Sequence, residues 1–318
     1  MSTPAIAVIG AGPAGVAAAA QLASRAVPFD WYESHSQLGG TLRRVHNPLS
    51  NLPGSESTPG TVLAAQLDAA WGASRSLRTG QPVALSSTGD GNGGIVTLGD
   101  RQVAYQAVVL ATGTRPRTWD VAVPERLVGA GVEYSAYGAR GRYAGREVAV
   151  VGGGDAALEG ALLLAEGCPR VTIVVRGSTL RASARFVDAV ARNERIALRQ
   201  GRRVTGLRVI DDRLEGVDLD DGSSLRIDGL FVRIGVEAVV PVAASGLTRT
   251  SSGRVSVDAD QQTSLAWLTA AGDVAATTLE SVAWAYGTGA AAATTAMLRV
   301  AGAGTADLHR RGARIEVP

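Results

Sequence analysis

Two glycine turns carry the residues of this 318-residue chain best suited to chemistry. The first, Gly10-x-Gly12-x-x-Gly15 in AIAVIGAGPAGVAAAAQLA, follows an apolar run and opens a run of small residues with helical character. A strand-turn-helix unit of this kind cradles a dinucleotide pyrophosphate. Gly10 permits the tight turn, Gly12 lets the pyrophosphate approach the backbone, and Gly15 lets helix and strand pack closely. Pro13 and Ala14 lie inside the turn. Glu33, at the end of the next apolar run, stands at the distance from the turn where an acid accepts hydrogen bonds from ribose hydroxyls. The second turn, Gly152-x-Gly154-x-x-Ala157 in EVAVVGGGDAALEGALLLA, lies near the middle of the chain and includes Asp155 and Ala156. Asp155 is expected to cap the helix that follows. At the place matching Glu33 stands Arg176, followed by Arg181. A basic side chain suits a 2′-phosphate that an acid would repel, so NADPH is expected rather than NADH. An ordinary solvated arginine at a strand end is the alternative. The first turn is then expected to take the cofactor lacking that phosphate, FAD.

Other reactive groups are few. All 31 basic residues are arginine, which excludes Schiff-base chemistry and a P-loop lysine. Cys168 is the single cysteine, so an intrachain disulfide, a CxxC pair and a cysteine metal site are excluded, and no metal is expected. The composition, 46% apolar and 19% charged, is globular. A net charge of +2 with no basic block argues against nucleic acid as a partner. The apolar start is broken by Gly10, Gly12, Pro13 and Gly15, so it reads as a buried strand and helix rather than a leader. No run of about 18 strongly apolar residues suits a membrane span. A soluble, cytoplasmic protein is expected.

Between the turns, QVAYQAVVLATGTRPRTW is an apolar strand ending in Ala111-Thr112-Gly113, where the chain is expected to leave the first domain. IVTLGDRQVAY and GLRVIDDRLEGVDLDDGSSLRIDGLFVRIG alternate apolar and polar residues around Asp/Gly turns and read as antiparallel hairpins. After Gly235 comes a short strand, Ala271-Gly272-Asp273, and a long helix. An acid at such a strand end is placed to bond a ribityl hydroxyl. The helix N-terminus, at Ser281 and Val282, would face the flavin pyrimidine carbonyl oxygens. The expected fold is α/β, with two Rossmann-like, three-layer ββα dinucleotide-binding domains. Residues 1–116 and 238–318 form the FAD domain, and residues 117–237 the NAD(P)H domain inserted into it.

Over nearly its whole length the chain resembles the low-molecular-weight thioredoxin reductases, which are FAD/NAD(P)H flavoproteins. The matching pieces are GAGPAG at 10–15, GG at 39–40, NLPG at 51–54, ATG at 111–113, GGGDAALEGA at 152–161, RGSTLRAS at 176–183, AAGDV at 270–274 and GTG at 287–289. The resemblance implies a homodimer, flavin contacts from Gly40, Thr41 and Asn51, and reduction of the flavin by NADPH after one domain swivels against the other. It also implies a CxxC disulfide shortly before the second turn, but in VEYSAYGARGRYAGREVAVVGGG the two cysteine positions fall on Ser135 and Gly138. Neither residue can relay two electrons. The family's HRRxxxR appears as VRGSTLR: Arg176 and Arg181 match, but Gly177 replaces the adjacent arginine, which weakens the NADPH preference. Ser281 replaces the family's glutamine near the flavin ring, with Trp284 one turn further on.

Candidates for proton transfer are correspondingly few. Ferredoxin-NADP reductases of the thioredoxin reductase type, which also lack CxxC, carry an aromatic residue on the isoalloxazine about where His46 stands. His46 is expected to stack there or to act as acid/base beside N5, a turn residue being the alternative. His309 stands near the place of that subfamily's C-terminal histidine, which covers the flavin, or in a surface tail. His35 is expected near adenosine or solvent. Tyr134 and Tyr137 flank the vacated dithiol position, filling the space over the flavin or lying on the domain surface.

The expected function is an FAD-dependent oxidoreductase whose flavin exchanges hydride directly with a non-disulfide substrate, NAD(P)H being the reductant. The substrate is a small molecule or a small electron-carrier protein. Two rivals stand beside it: an FAD-dependent oxidase or dehydrogenase of a small metabolite that uses oxygen and keeps a relic NADPH domain, and a non-catalytic FAD-binding redox sensor. A dithiol reductase whose cysteines come from a partner is a further possibility.

Overall fold

The structure, a computed structural model, describes residues 5–276 and 279–302. The chain divides into two compact units: residues up to Arg115 together with those from Glu237 onward, and Pro116–Val236.

In the first unit five strands form a parallel sheet in the order Leu268–Ala270, Ala107–Leu110, Ile6–Ile9, Phe29–Tyr32, Leu77–Arg78. Its central strands, IAVI and AVVL, are buried throughout, because both faces of the sheet are covered. Successive side chains point to opposite faces. Ile6, Val8, Ala107 and Val109 thus join a core with helices Pro13–Ser24 and Val282–Val300. Ala7, Ile9, Val108 and Leu110 instead pack with Leu85, Val96 and Trp267 beneath the antiparallel sheet Ala84–Ser87, Gly94–Leu98, Arg101–Tyr105. The two helices meet through small residues, Ala14 and Ala18 against Ala292 and Ala296. A Cβ on Gly289 would come within 2.1 Å of Ala14 O.

The second unit repeats the plan. Its parallel sheet runs Ile196–Gln200, Arg170–Val175, Glu147–Val151, Gly229–Val232, Val132–Glu133. Val148, Val150, Val171, Ile173 and Phe231 face helices Asp155–Ala165 and Ala184–Ala191. Ala149, Val174, Leu230 and Val232 face the antiparallel sheet Val204–Ile210, Arg213–Leu219, Ser224–Arg226. The Asp211-Asp212 turn of that sheet has φ of 47° and 61°, which short polar residues tolerate in a tight hairpin loop. Both units are therefore α/β with a parallel sheet between helices and a small antiparallel sheet, as the alternating apolar segments predict.

The helix pair of the first unit gives a direct test. Gly289→Ala should destabilise the first unit by about 1–3 kcal/mol through overpacking. Gly287→Ala, on the same helix with nothing near its added Cβ, should instead gain up to about 1 kcal/mol from helix propensity. Urea unfolding followed by tryptophan fluorescence measures both.

Candidate functional site

At the carboxyl ends of the parallel strands the first unit holds a cleft of about 930 Å³. Gly10 has φ of 104°, and a Cβ there would lie 2.3 Å from Ala111 O, so the turn admits only glycine. Gly12 is the N-cap of Pro13–Ser24 and supplies no side-chain cap, which leaves the first N–H groups of the helix free for an anion. Gly10, Gly12, Pro13 and Ala14 all line the cleft; Gly15 does not, and instead packs beneath it, its would-be Cβ 1.9 Å from Gly10 O. Gly40 and Thr41 form the facing wall, where a Cβ on Gly40 would lie 3.2 Å from Gly12 Cα.

Glu33 ends the second strand, 6% exposed at the edge of the cleft. Its Oε2 accepts the Ala11 N–H at 2.7 Å, and its Oε1 accepts the His35 N–H at 2.8 Å and the Ser34 hydroxyl at 3.1 Å. The carboxylate is thus fixed in orientation while keeping lone pairs for a further donor. His35 lines the cleft with its ring largely exposed, Nδ1 3.0 Å from the same carboxylate. Asn51, Ala111, Thr112 and Gly113 also line the cleft, and Thr112 Oγ1 donates to Val239 O at 2.5 Å.

Gly272, Asp273, Ser281 and Val282 close the other end. Burial raises the Asp273 carboxyl above its ordinary pKa, the charge of Glu280 adding to the effect and Arg254 opposing it. Arg254 pairs with Glu280 and donates to Asp273 O at 2.6 Å. Ser281 is the N-cap of Val282–Val300, its Oγ accepting the Trp284 N–H at 3.1 Å. It is a helix cap, and Trp284 itself is exposed and outside the lining.

Sequence reasoning missed Arg43. It lines the cleft, and its Nη2 is buried with no hydrogen bond among the described residues, although Asp68 Oδ2 lies 3.4 Å away. A buried donor of this kind calls for an acceptor. The arginine pair directly after Gly40-Thr41-Leu42 was the available signal. His46, by contrast, is exposed and absent from the lining, although Val45 and Leu49 belong to it. His309 lies outside the described residues.

In the second unit Gly152 has φ of 139° and backs onto Arg233 O, 2.1 Å from its would-be Cβ. Gly154 is the N-cap of Asp155–Ala165, again with no side-chain cap. The expected capping role of Asp155 is therefore corrected: it is the first helical residue, and its Oδ1 accepts the Ser183 N–H at 2.6 Å, tying down the arginine segment instead. Ala156 is exposed at the turn, and Ala157 is buried where the first unit has its third glycine. Arg181 N donates to Gly153 O at 2.7 Å, and Arg176 directly follows the strand Arg170–Val175. Both side chains are exposed and form no ion pair among the described residues.

Ser135 and Gly138, where the resemblance leads one to expect the dithiol, are joined by a cap: Ser135 Oγ accepts the Gly138 N–H at 3.4 Å at the start of the short helix Ala136–Ala139. Tyr134 and Tyr137 are partly exposed, and the Arg140 guanidinium lies 5.0 Å from the Tyr137 ring centre. Cys168 is buried, its thiol pushed up in pKa by burial and donating to Tyr143 O. Among the described residues no His, Cys, Asp and Glu cluster has the makings of a metal site, and no helix is long and apolar enough to cross a membrane.

Comparison with known proteins agrees with this geometry. Residues 4–289 match the pyridine nucleotide-disulphide oxidoreductase family. Thioredoxin reductase of Listeria innocua is 28% identical over 86% of this chain and 87% of its own. That of Peptoclostridium acidaminophilum is 30% identical over 87% and 90%. The crystal structure of Lactococcus lactis thioredoxin reductase superposes with a TM-score of 0.79 at 24% identity, covering 94% of this chain and all of that one. With two glycine turns at the ends of two parallel sheets and a single cysteine, buried in the core of the second unit, the chain belongs to the pyridine nucleotide-disulphide oxidoreductase family, as a thioredoxin reductase-like member whose cysteine content argues against a dithiol mechanism.

Proposed function

We propose that the protein is a cytoplasmic, homodimeric FAD-dependent oxidoreductase that takes electrons from NAD(P)H and passes them from the flavin directly to a non-disulfide acceptor, a small molecule or a small electron-carrier protein. The carrying observation is the combination of two glycine turns, the second with Ala157 at its third position, with a hydrogen-bonded Ser135–Gly138 pair where the resemblance expects the dithiol.

The first cleft suits FAD. Glu33 offers a fixed carboxylate to ribose hydroxyls, while the uncapped helix start and the unbonded Arg43 Nη2 offer donors to a pyrophosphate. Asp273 in the cleft lining supports a contact with a ribityl hydroxyl, and the Val282–Val300 helix N-terminus offers partial positive charge to a flavin carbonyl edge. Bound there, FAD would supply the two-electron redox chemistry. The residues hold and orient: burial raises the Asp273 carboxyl above its ordinary pKa, and its oxygens are offered as acceptors to a ribityl hydroxyl. The exposed Arg176 and Arg181 support a 2′-phosphate contact in the second unit.

Anaerobic stopped-flow tests the reading. NADPH should bleach the flavin absorption near about 450 nm, and ferricyanide should then restore it, while disulfide substrates should not be reduced. If neither NADPH nor NADH bleaches the flavin, the reductase reading is wrong. Retained flavin that turns over with no acceptor would make the protein non-catalytic.

A binding measurement tests the cleft separately. Glu33→Ala removes the ribose acceptor and leaves the Ala11 N–H unpaired, so flavin affinity should drop about tenfold to a hundredfold. Flavin release followed by fluorescence reads this, and unchanged retention would refute the assignment.

A further inference from the structure

Arg233 is a partly buried charge beside the second glycine turn. It follows the strand Gly229–Val232, which flanks the central strand Glu147–Val151 on the side away from Arg170–Val175 and Arg176. Its N–H donates to Val151 O at 2.8 Å, and its carbonyl oxygen closes the Gly152 turn. In the first unit Ala111 does the same for Gly10 with no charged side chain.

The Arg233 side chain is held close to the turn. Nη1 donates to Tyr134 O at 2.7 Å and Nε to Ala156 O at 3.4 Å. No carboxylate lies within 4.0 Å among the described residues; Glu159 is the acid that acts on it, from beyond ion-pair distance. Burial drives the guanidinium pKa below its ordinary value. A partly buried cation whose side-chain partners are neutral carbonyls gains from an anion that joins it. Nη2 forms no hydrogen bond among the described residues, and a guanidinium has five N–H donors, so capacity is left over. Adjacent to it are the uncapped first N–H groups of Asp155–Ala165, themselves suited to an anion.

We propose that Arg233 binds the pyrophosphate of the pyridine dinucleotide, from the flank of the glycine turn opposite Arg176 and Arg181. It therefore serves NADH and NADPH alike, whereas Arg176 and Arg181 serve only the 2′-phosphate. The proposal rests on the reading of the second unit as a pyridine-nucleotide site.

Titration calorimetry of the FAD-loaded protein with NAD⁺ and NADP⁺ tests it without turnover. Arg233→Met should weaken both ligands by about ten- to a hundredfold and leave their ratio unchanged. Arg176→Ala should weaken NADP⁺ far more than NAD⁺. Inorganic pyrophosphate should compete with NAD⁺ on the wild type and lose that effect in Arg233→Met. Binding to the variant should also depend less on salt. Arg233→Lys, which keeps the charge without the planar fork, should recover part of the affinity and covers the case in which Arg233→Met misfolds. Unchanged affinity in folded Arg233→Met, or a loss confined to NADP⁺, overturns the proposal. A wild-type protein that binds neither dinucleotide overturns the site reading and this inference together.

Discussion

Each glycine turn closes against a backbone carbonyl from the neighbouring strand, and the arrangement of each unit depends on that contact. A Cβ at Gly10 would stand 2.3 Å from Ala111 O and one at Gly152 2.1 Å from Arg233 O, distances that no packed side chain occupies. Because nothing intervenes, the central strand, the turn and the next strand end together at one edge of the sheet. The following helix then points its unpaired N–H groups over that edge. The residues that end the adjacent strands, Glu33 in one unit and Arg176 in the other, reach the same edge for the same reason.

On this shared frame the two units place opposite charges at the matching strand end, Glu33 in one and Arg176 in the other. The first sets a buried carboxylate, held by the Ala11 N–H, at the end of its second strand, and the Arg43 guanidinium, beside Asp68, in the lining of the same cleft. The second has no acid at the matching place but exposed arginines on one flank and a half-buried one on the other. A similar strand-turn-helix frame thus presents a carboxylate at one strand end and a guanidinium at the matching one.

What the sequence reveals follows from the range of the interactions involved. Glycine turns, alternating hairpins and the acid that closes the first strand-turn-helix-strand unit are local patterns, and the structure has the elements they predict. The cleft lining at Gly40, Asn51, Ala111 and Asp273 was legible because the segments resemble those of a known family. Arg43 and Arg233 were not: their significance lies in the guanidinium nitrogens left without a hydrogen bond among the described residues, which depends on residues distant in sequence such as Asp68 and Tyr134. Asp155 was misjudged by a single position, since the glycine before it ends the turn and takes the cap. The exposure of His46 is set by the path of a Gly/Pro/Asn-rich loop, on which neither periodicity nor spacing bears.

Cys168 lies in the core of the second unit, against Leu164 and the Tyr143 carbonyl, and the first unit contains no cysteine. In the native protein the thiol is therefore shielded from alkylating reagents and peroxide. Any labelling of this chain records an opening of the second unit alone. Its modification rate is thus a clock for the breathing of one half of the molecule, built into the sequence without a probe and silent to whatever the other half does.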